Sequence, residues 1–225
     1  MNAIGAIYKK QWNDFPKNLS VSLLFVMFPV LAFIMGSIQG YLEMQAAVFA
    51  ASFVGTTPMV AICMTVAEDR EYKGLRFLVM AGVKPTQYLI GLTGFVLMMS
   101  LLPLSAFIFM GGFTGTHLVF FVALSVLALI ASCLLGAGIG IFAKHVQQAT
   151  AIYTPIMMAL MLAPMFASAN ETLERVAEYL FSFQILIVAL YPGYDMVRAL
   201  VIISANIVVL LGFFIFAYKR KGLRG

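Results

Sequence analysis

Six apolar stretches dominate the chain, each close to the ~20 residues that a helix needs to cross the hydrocarbon core of a bilayer. They run from Leu19 to Ile38, Ala46 to Ala67, Thr86 to Phe109, Leu118 to Ala143, Ala149 to Ser168 and Met196 to Tyr218. Within each run the apolar residues follow one another rather than alternate, which excludes a closed barrel. The expected fold is an all-α polytopic membrane protein with six transmembrane helices, forming a single transmembrane domain over residues 1–225. Composition agrees: 63% of residues are hydrophobic and 10% charged, more apolar surface than a soluble domain of this size can bury. No small-residue cleavage site follows a short apolar core near the start, so no removable leader is expected.

Charge sets the orientation. With both termini on one side, only Arg175 and Arg198 of the 14 Lys and Arg residues fall on the other. That asymmetry predicts cytoplasmic termini and agrees with an even number of spans.

Three segments lie outside the spans. In residues 1–17, Ile4, Ile7, Tyr8, Trp12 and Phe15 recur at helical spacing, with Lys9, Lys10 and Lys17 elsewhere on the wheel. This pattern predicts an amphipathic interfacial helix, apolar face down and lysines toward anionic membrane lipids. In residues 169–195, Ser168 precedes Glu171 by three positions, a capping-box spacing. Leu173, Val176, Ala177, Leu180 and Phe181 then form one expected face. The following run, Phe183 to Tyr191, is too short to cross and is broken by Pro192 and Gly193. An outer re-entrant helical hairpin follows from that shortness.

The third segment, residues 68–85, holds Glu68, Asp69, Arg70, Glu71, Lys73, Arg76 and Lys84. A charge at the centre of a span costs ~2.5–3.5 kcal/mol, so this connector belongs in the cytoplasm. Yet Leu75, Phe77, Leu78, Val79 and Met80 stand among the charges. Water does not require them, whereas a short amphipathic helix docking into another protein does.

The stretch "EDREYKGLRFLVMAGVKPTQYLIG" resembles the charged connector of ABC-2 type ATP-binding-cassette transporter permeases. The similarity extends over most of the chain: interfacial helix, six spans, charged second connector and outer hairpin before the last span. In that family the connector carries the coupling helix, which enters a groove on a separate nucleotide-binding subunit. The resemblance implies ATPase-coupling roles for Glu68, Asp69, Arg70, Glu71, Lys73, Gly74, Leu75, Arg76, Phe77 and Leu78. Gly74 would mark the turn into the Leu75-Arg76-Phe77-Leu78 helix. Here Leu75 follows the glycine where many members have a small hydroxyl residue, and Ala81-Gly82 precede Pro85.

The phosphate-binding pattern G-x-x-x-x-G-K-[ST] is absent, so the chain is not expected to be an enzyme or to bind a cofactor itself. ATP and Mg would sit on two cassette ATPase subunits, beside a second permease copy in a homodimer. The implied place is the cell membrane, a bacterial inner or plasma membrane. A nearly charge-free interior suits export of a hydrophobic or amphipathic cargo, a peptide toxin or bacteriocin, or a drug-like molecule in antibiotic resistance. No nucleic acid, catalytic group or metal is expected. Cys63 and Cys133 lie in separate apolar runs and read as packing residues.

Within the spans, Met157, Met158, Met161 and Met165, interrupted by Pro155 and Pro164, could line the translocation path, meet the partner permease or simply pack. Asp195 and Arg198 lie three apart at an outer helix start, spaced to pair and gate the exit or to anchor at the interface. Gly136 and Gly140 have GxxxG spacing, and Ala51 with Gly55 form another small pair; both predict close packing within the bundle. Two other classes compete. A substrate-capture subunit of an energy-coupling-factor vitamin importer has a similar span count but needs no charged docking loop. An intramembrane protease would need bases beside Ser52, Ser100 or Ser132, where the spans carry none.

Overall fold

The computed structural model describes residues 3–72, 74, 80, 82–166 and 171–221, and these form helices and turns with no strand. In chain order the helices are α1 (Ala3–Asp14), α2 (Leu19–Gln39), α3 (Leu42–Glu71), α4 (Pro85–Gly111) and α5 (Gly115–Phe142). There follow α6 (Val146–Phe166), α7 (Glu171–Ala177), α8 (Phe181–Leu190) and α9 (Met196–Lys221). Helices α2, α3, α4, α5, α6 and α9 are long and apolar enough to cross a membrane, at the six places expected, and the chain is a multi-pass membrane protein. Observed ends lie within a turn or so of the expected ones, mostly because polar residues extend the helices beyond the hydrocarbon.

Helix α3 is the axle of the bundle. In its apolar stretch 83% of residues are buried, against 11% in α9, and it packs on α2, α4, α5, α6 and α8. Small residues bring these neighbours close. A Cβ on Gly136 of α5 would overlap the Met59 carbonyl, and one on Gly140 would lie 2.9 Å from Val66 Cβ. The GxxxG pair therefore seats α5 on α3, as expected from the spacing. Gly55 serves α8 in the same way, with an added Cβ 2.9 Å from Ser182 Cβ.

Pro58 interrupts α3 in its middle. A proline inside a helix disturbs the ladder one turn back, and in hydrocarbon the freed groups need new partners. One turn of α3 is bridged here by a hydroxyl from α5. Ser132 Oγ accepts from Met59 N at 3.1 Å and donates to the Gly55 carbonyl at 3.2 Å. Ser52 and Ser100 instead bond the carbonyls of Val48 and Val96 in their own helices.

Helix α1 lies against α4. Ile7 and Tyr8 fit over Gly91 and Gly94, and Tyr8 and Phe15 make edge contacts with Phe95. The packed face is thus Ile7 and Gln11, both buried, with half-buried Tyr8 and Phe15, whereas Ile4 and Trp12, expected on it, are exposed. The glycine notches of α4 select the face, and they favour 7 and 8 over 4 and 12.

Beyond α6 the expected single amphipathic face is divided. Ala177 and Phe181 are buried, but Leu173 and Val176 are exposed, because the chain turns between α7 and α8. Gln184 Nε2 holds that turn through the Glu178 carbonyl at 2.5 Å. Helix α8 is almost fully enclosed and packs on α3, α5, α6 and α9. Ser168, of the expected capping box, lies outside the described residues.

Replacing Gly136 by Ala is expected to cost about 1–3 kcal/mol through overpacking against the Met59 backbone. Gly212, with open space around its Cα, is the control and should change little. Unfolding midpoints in detergent compare the two; equal effects would contradict the close α3–α5 seat.

Candidate functional site

Four consecutive charged residues end α3, and an α-helix turns about 100° per residue, so their side chains point to different neighbours. Glu68 Oε1 accepts from Asn18 Nδ2, at the start of α2, at 2.8 Å. Asp69 Oδ1 meets Lys10 Nζ of α1 at 2.5 Å, and its Oδ2 accepts from the Tyr88 hydroxyl of α4 at 2.6 Å. Arg70 Nη1 donates to the Ile141 carbonyl in the last turn of α5. Glu71 Oε2 accepts from Val146 N, the first residue of α6, at 2.9 Å. One helix end is thereby tied to five other helices.

Each tie has a physical reason. Terminal carbonyls and amides of a helix lack partners within it, and they carry partial charges of opposite sign. A guanidinium at the end of α5 and a carboxylate at the start of α6 suit both conditions. Adjacent residues of α3 thus hold the two sides of the α5–α6 turn. Asp69 is buried at 8% exposure, which requires that both its oxygens find donors. Lys10 and Tyr88 supply them, with Tyr88 itself at 2% exposure. Gly74 lies back against this cluster: a Cβ there would stand 3.2 Å from Asp69 Oδ1.

Beside the cluster, between α1, α2, α3 and α4, opens a cavity of about 760 Å³. A second cleft, of about 540 Å³, is lined by Glu68, Glu71, Tyr72, His145, Val146 and Gln147. Both open on the face from which the α3–α4 connector leaves.

Of the expected coupling residues, Glu68, Asp69, Arg70 and Glu71 are thus engaged within the chain. Lys73, Leu75, Arg76, Phe77 and Leu78 lie outside the described residues. The methionines of α6 do not share one environment: Met157 and Met161 are partly buried against the core, while Met158 and Met165 are exposed. Pro155 is exposed and Pro164 buried. Asp195 and Arg198 do not pair side chain to side chain. Asp195 Oδ1 accepts from the backbone N–H groups of Val197 and Arg198, at 3.0 and 3.1 Å, and so caps α9. Arg198 Nη2 instead meets Glu178 Oε2 at 2.7 Å, tying α9 to the α7–α8 turn. Free amides at a helix start compete successfully for a short carboxylate side chain.

Lys10, Asn18 and Tyr88 were not among the expected site residues. Their signal was available: Tyr88 places a hydroxyl within the first turn of an apolar span, and a buried hydroxyl there needs an acceptor. Among the described residues no group of three His, Cys, Asp or Glu could hold a metal ion. No protein-family model matches the sequence, and no curated protein is significantly similar to it.

Replacing Tyr88 by Phe removes a bond to a charged group and is expected to cost about 1.5–3 kcal/mol. Lys10→Met should cost about 1 kcal/mol or less, because the lysine is more than a third exposed and water screens the pair. Denaturant unfolding in micelles ranks them, and the reverse order would contradict Tyr88 as the principal partner.

Proposed function

We propose that the chain is the membrane-spanning permease subunit of an ATP-driven exporter, coupled through the α3–α4 connector to a separate ATPase. The observation that carries this is the fan of contacts from Glu68 to Glu71. These contacts satisfy buried charges and helix ends, and they also join the root of the connector to five helices. Force applied just beyond α3 would therefore reach α1, α2, α4, α5 and α6 together through five polar ties. The resemblance of residues 68–85 to the coupling segment of ABC-2 permeases supplies the source of that force.

In this account the chain sits in a bacterial inner or plasma membrane with both termini cytoplasmic, its basic residues other than Arg175 and Arg198 facing the cytoplasm. Helix α1 lies in the headgroup layer, where exposed Trp12 is suited to the interface. Helices α7 and α8 form the re-entrant outer hairpin, and the buried α8 needs no lipid contact of its own. Two permease copies and two ATPases make the assembly, with ATP and Mg bound on the ATPases. The largely exposed apolar faces of α2, α6 and α9 leave surface for the second copy and for lipid. The cargo is a hydrophobic or amphipathic molecule, such as a peptide toxin or a drug-like compound.

Docking in this account falls to Leu75, Phe77 and Leu78, because apolar anchors dominate such interfaces while charges at the rim set orientation. Co-purification with a cassette ATPase encoded beside the gene is expected for the natural protein. It should be lost when Leu75, Phe77 and Leu78 are changed together to Asp. Retained binding by that variant would rule out the connector as the docking element. Tight binding of a vitamin by the isolated chain, with no ATPase associated, would favour the capture-subunit alternative instead.

A further inference from the structure

The 760 Å³ cavity between α1, α2, α3 and α4 has two chemically distinct ends. Lys10, Gln11, Asp14, Lys17, Glu68 and Asp69 gather at one, and Phe15, Phe25, Phe95 and Val96 line the other. From Glu68 to Ala61 along α3 the change takes about 10 Å at the helical rise. That is the distance over which a bilayer passes from headgroup to acyl chain.

The polar end is incompletely satisfied. Asp69 is engaged by Lys10 and Tyr88, whereas among the described residues Glu68 accepts only at Oε1, from Asn18. Among the described residues Asp14 meets only Lys17, at 3.9 Å. Two carboxylates thus retain acceptor positions, and three carboxylates face two ammonium groups. Donors also remain. Gln11 is buried at 5% exposure, lines the same cavity, and its Nε2 has no partner among the described residues. Among the described residues Lys17 is held only by the long contact to Asp14.

We propose that this cavity binds a phospholipid whose headgroup carries a primary ammonium next to its phosphate. The ammonium brings three N–H donors to Glu68 and Asp14, and the phosphate takes donors from Lys17 and Gln11. The first part of an acyl chain lies against Phe15, Phe25, Phe95 and Val96. A choline headgroup has no N–H to give the carboxylates, and a glycerol headgroup brings negative charge without a cation to a mouth already rich in carboxylate. The bilayer is the source, because the apolar end excludes a purely polar ligand. The assignment does not depend on an ATPase partner.

The test uses the full chain, delipidated in detergent and titrated with phosphatidylethanolamine, phosphatidylcholine and phosphatidylglycerol of matched chains, with bound lipid read by native mass spectrometry. Phosphatidylethanolamine is expected to bind about tenfold more tightly than either of the others. Glu68→Gln and Asp14→Asn should each reduce that preference to about threefold or less. Asp14 is half exposed, so its variant carries the test should Glu68→Gln not fold. Equal binding of the ethanolamine and choline lipids, or a preference unchanged in the folded variants, would overturn the proposal. Soluble glycerophosphoethanolamine competing at the lipid's own concentration would overturn it as well, by assigning the cavity to a free phosphate ester.

Discussion

Helix α3 is enclosed by protein along most of its length, so its polar groups must look to another helix or their own backbone for partners, and among the described residues Thr57 Oγ1 is left without one. The rest of the bundle is arranged around that requirement. Glycines at 136 and 140 bring α5 against it, and Ser132 of α5 then reaches the turn beside Pro58. A larger residue at 136 would hold α5 off and leave the Gly55 and Met59 backbone groups without the hydroxyl. Close packing and polar satisfaction are here one feature.

The same requirement explains the end of α3. Where the helix leaves the apolar layer, four charged residues in succession meet five neighbours, and the two partners of Asp69 come from α1 and α4. Two of the ties cap other helices, so the α5–α6 turn depends on α3 for its own termini. Under the proposed function, such an anchorage would let an external subunit acting on the α3–α4 connector move many helices at once. Under the proposed coupling, close-packed interfaces that rearrange as units would transmit the displacement.

The spans were legible because six runs of continuous hydrophobicity have few other physical solutions. The GxxxG spacing likewise announced its contact. What pattern could not supply was which partner each charge would choose. Asp195 and Arg198 have ideal spacing for an ion pair, yet backbone amides take the carboxylate and Glu178 takes the guanidinium. Trp12 belongs to the most hydrophobic face of α1 on a wheel but lies outward, because the notches at Gly91 and Gly94 fit Ile7 and Tyr8. The resemblance to the ABC-2 connector implies an ATPase-coupling role for Glu68 to Glu71. Their spacing at the end of an enclosed helix, with Tyr88 in the first turn of the next span, equally suggests internal ties. Periodicity identifies faces, and three-dimensional shape decides which face is used.

The central claim is that these charges hold the bundle while the residues beyond them hold the ATPase. It is tested by neutralising Glu68, Asp69, Arg70 and Glu71 one at a time, and measuring both the unfolding midpoint and retention of the ATPase on an affinity column. The account predicts a lower midpoint with the ATPase retained. An unchanged midpoint with the ATPase lost would contradict it and return the four residues to the docking surface.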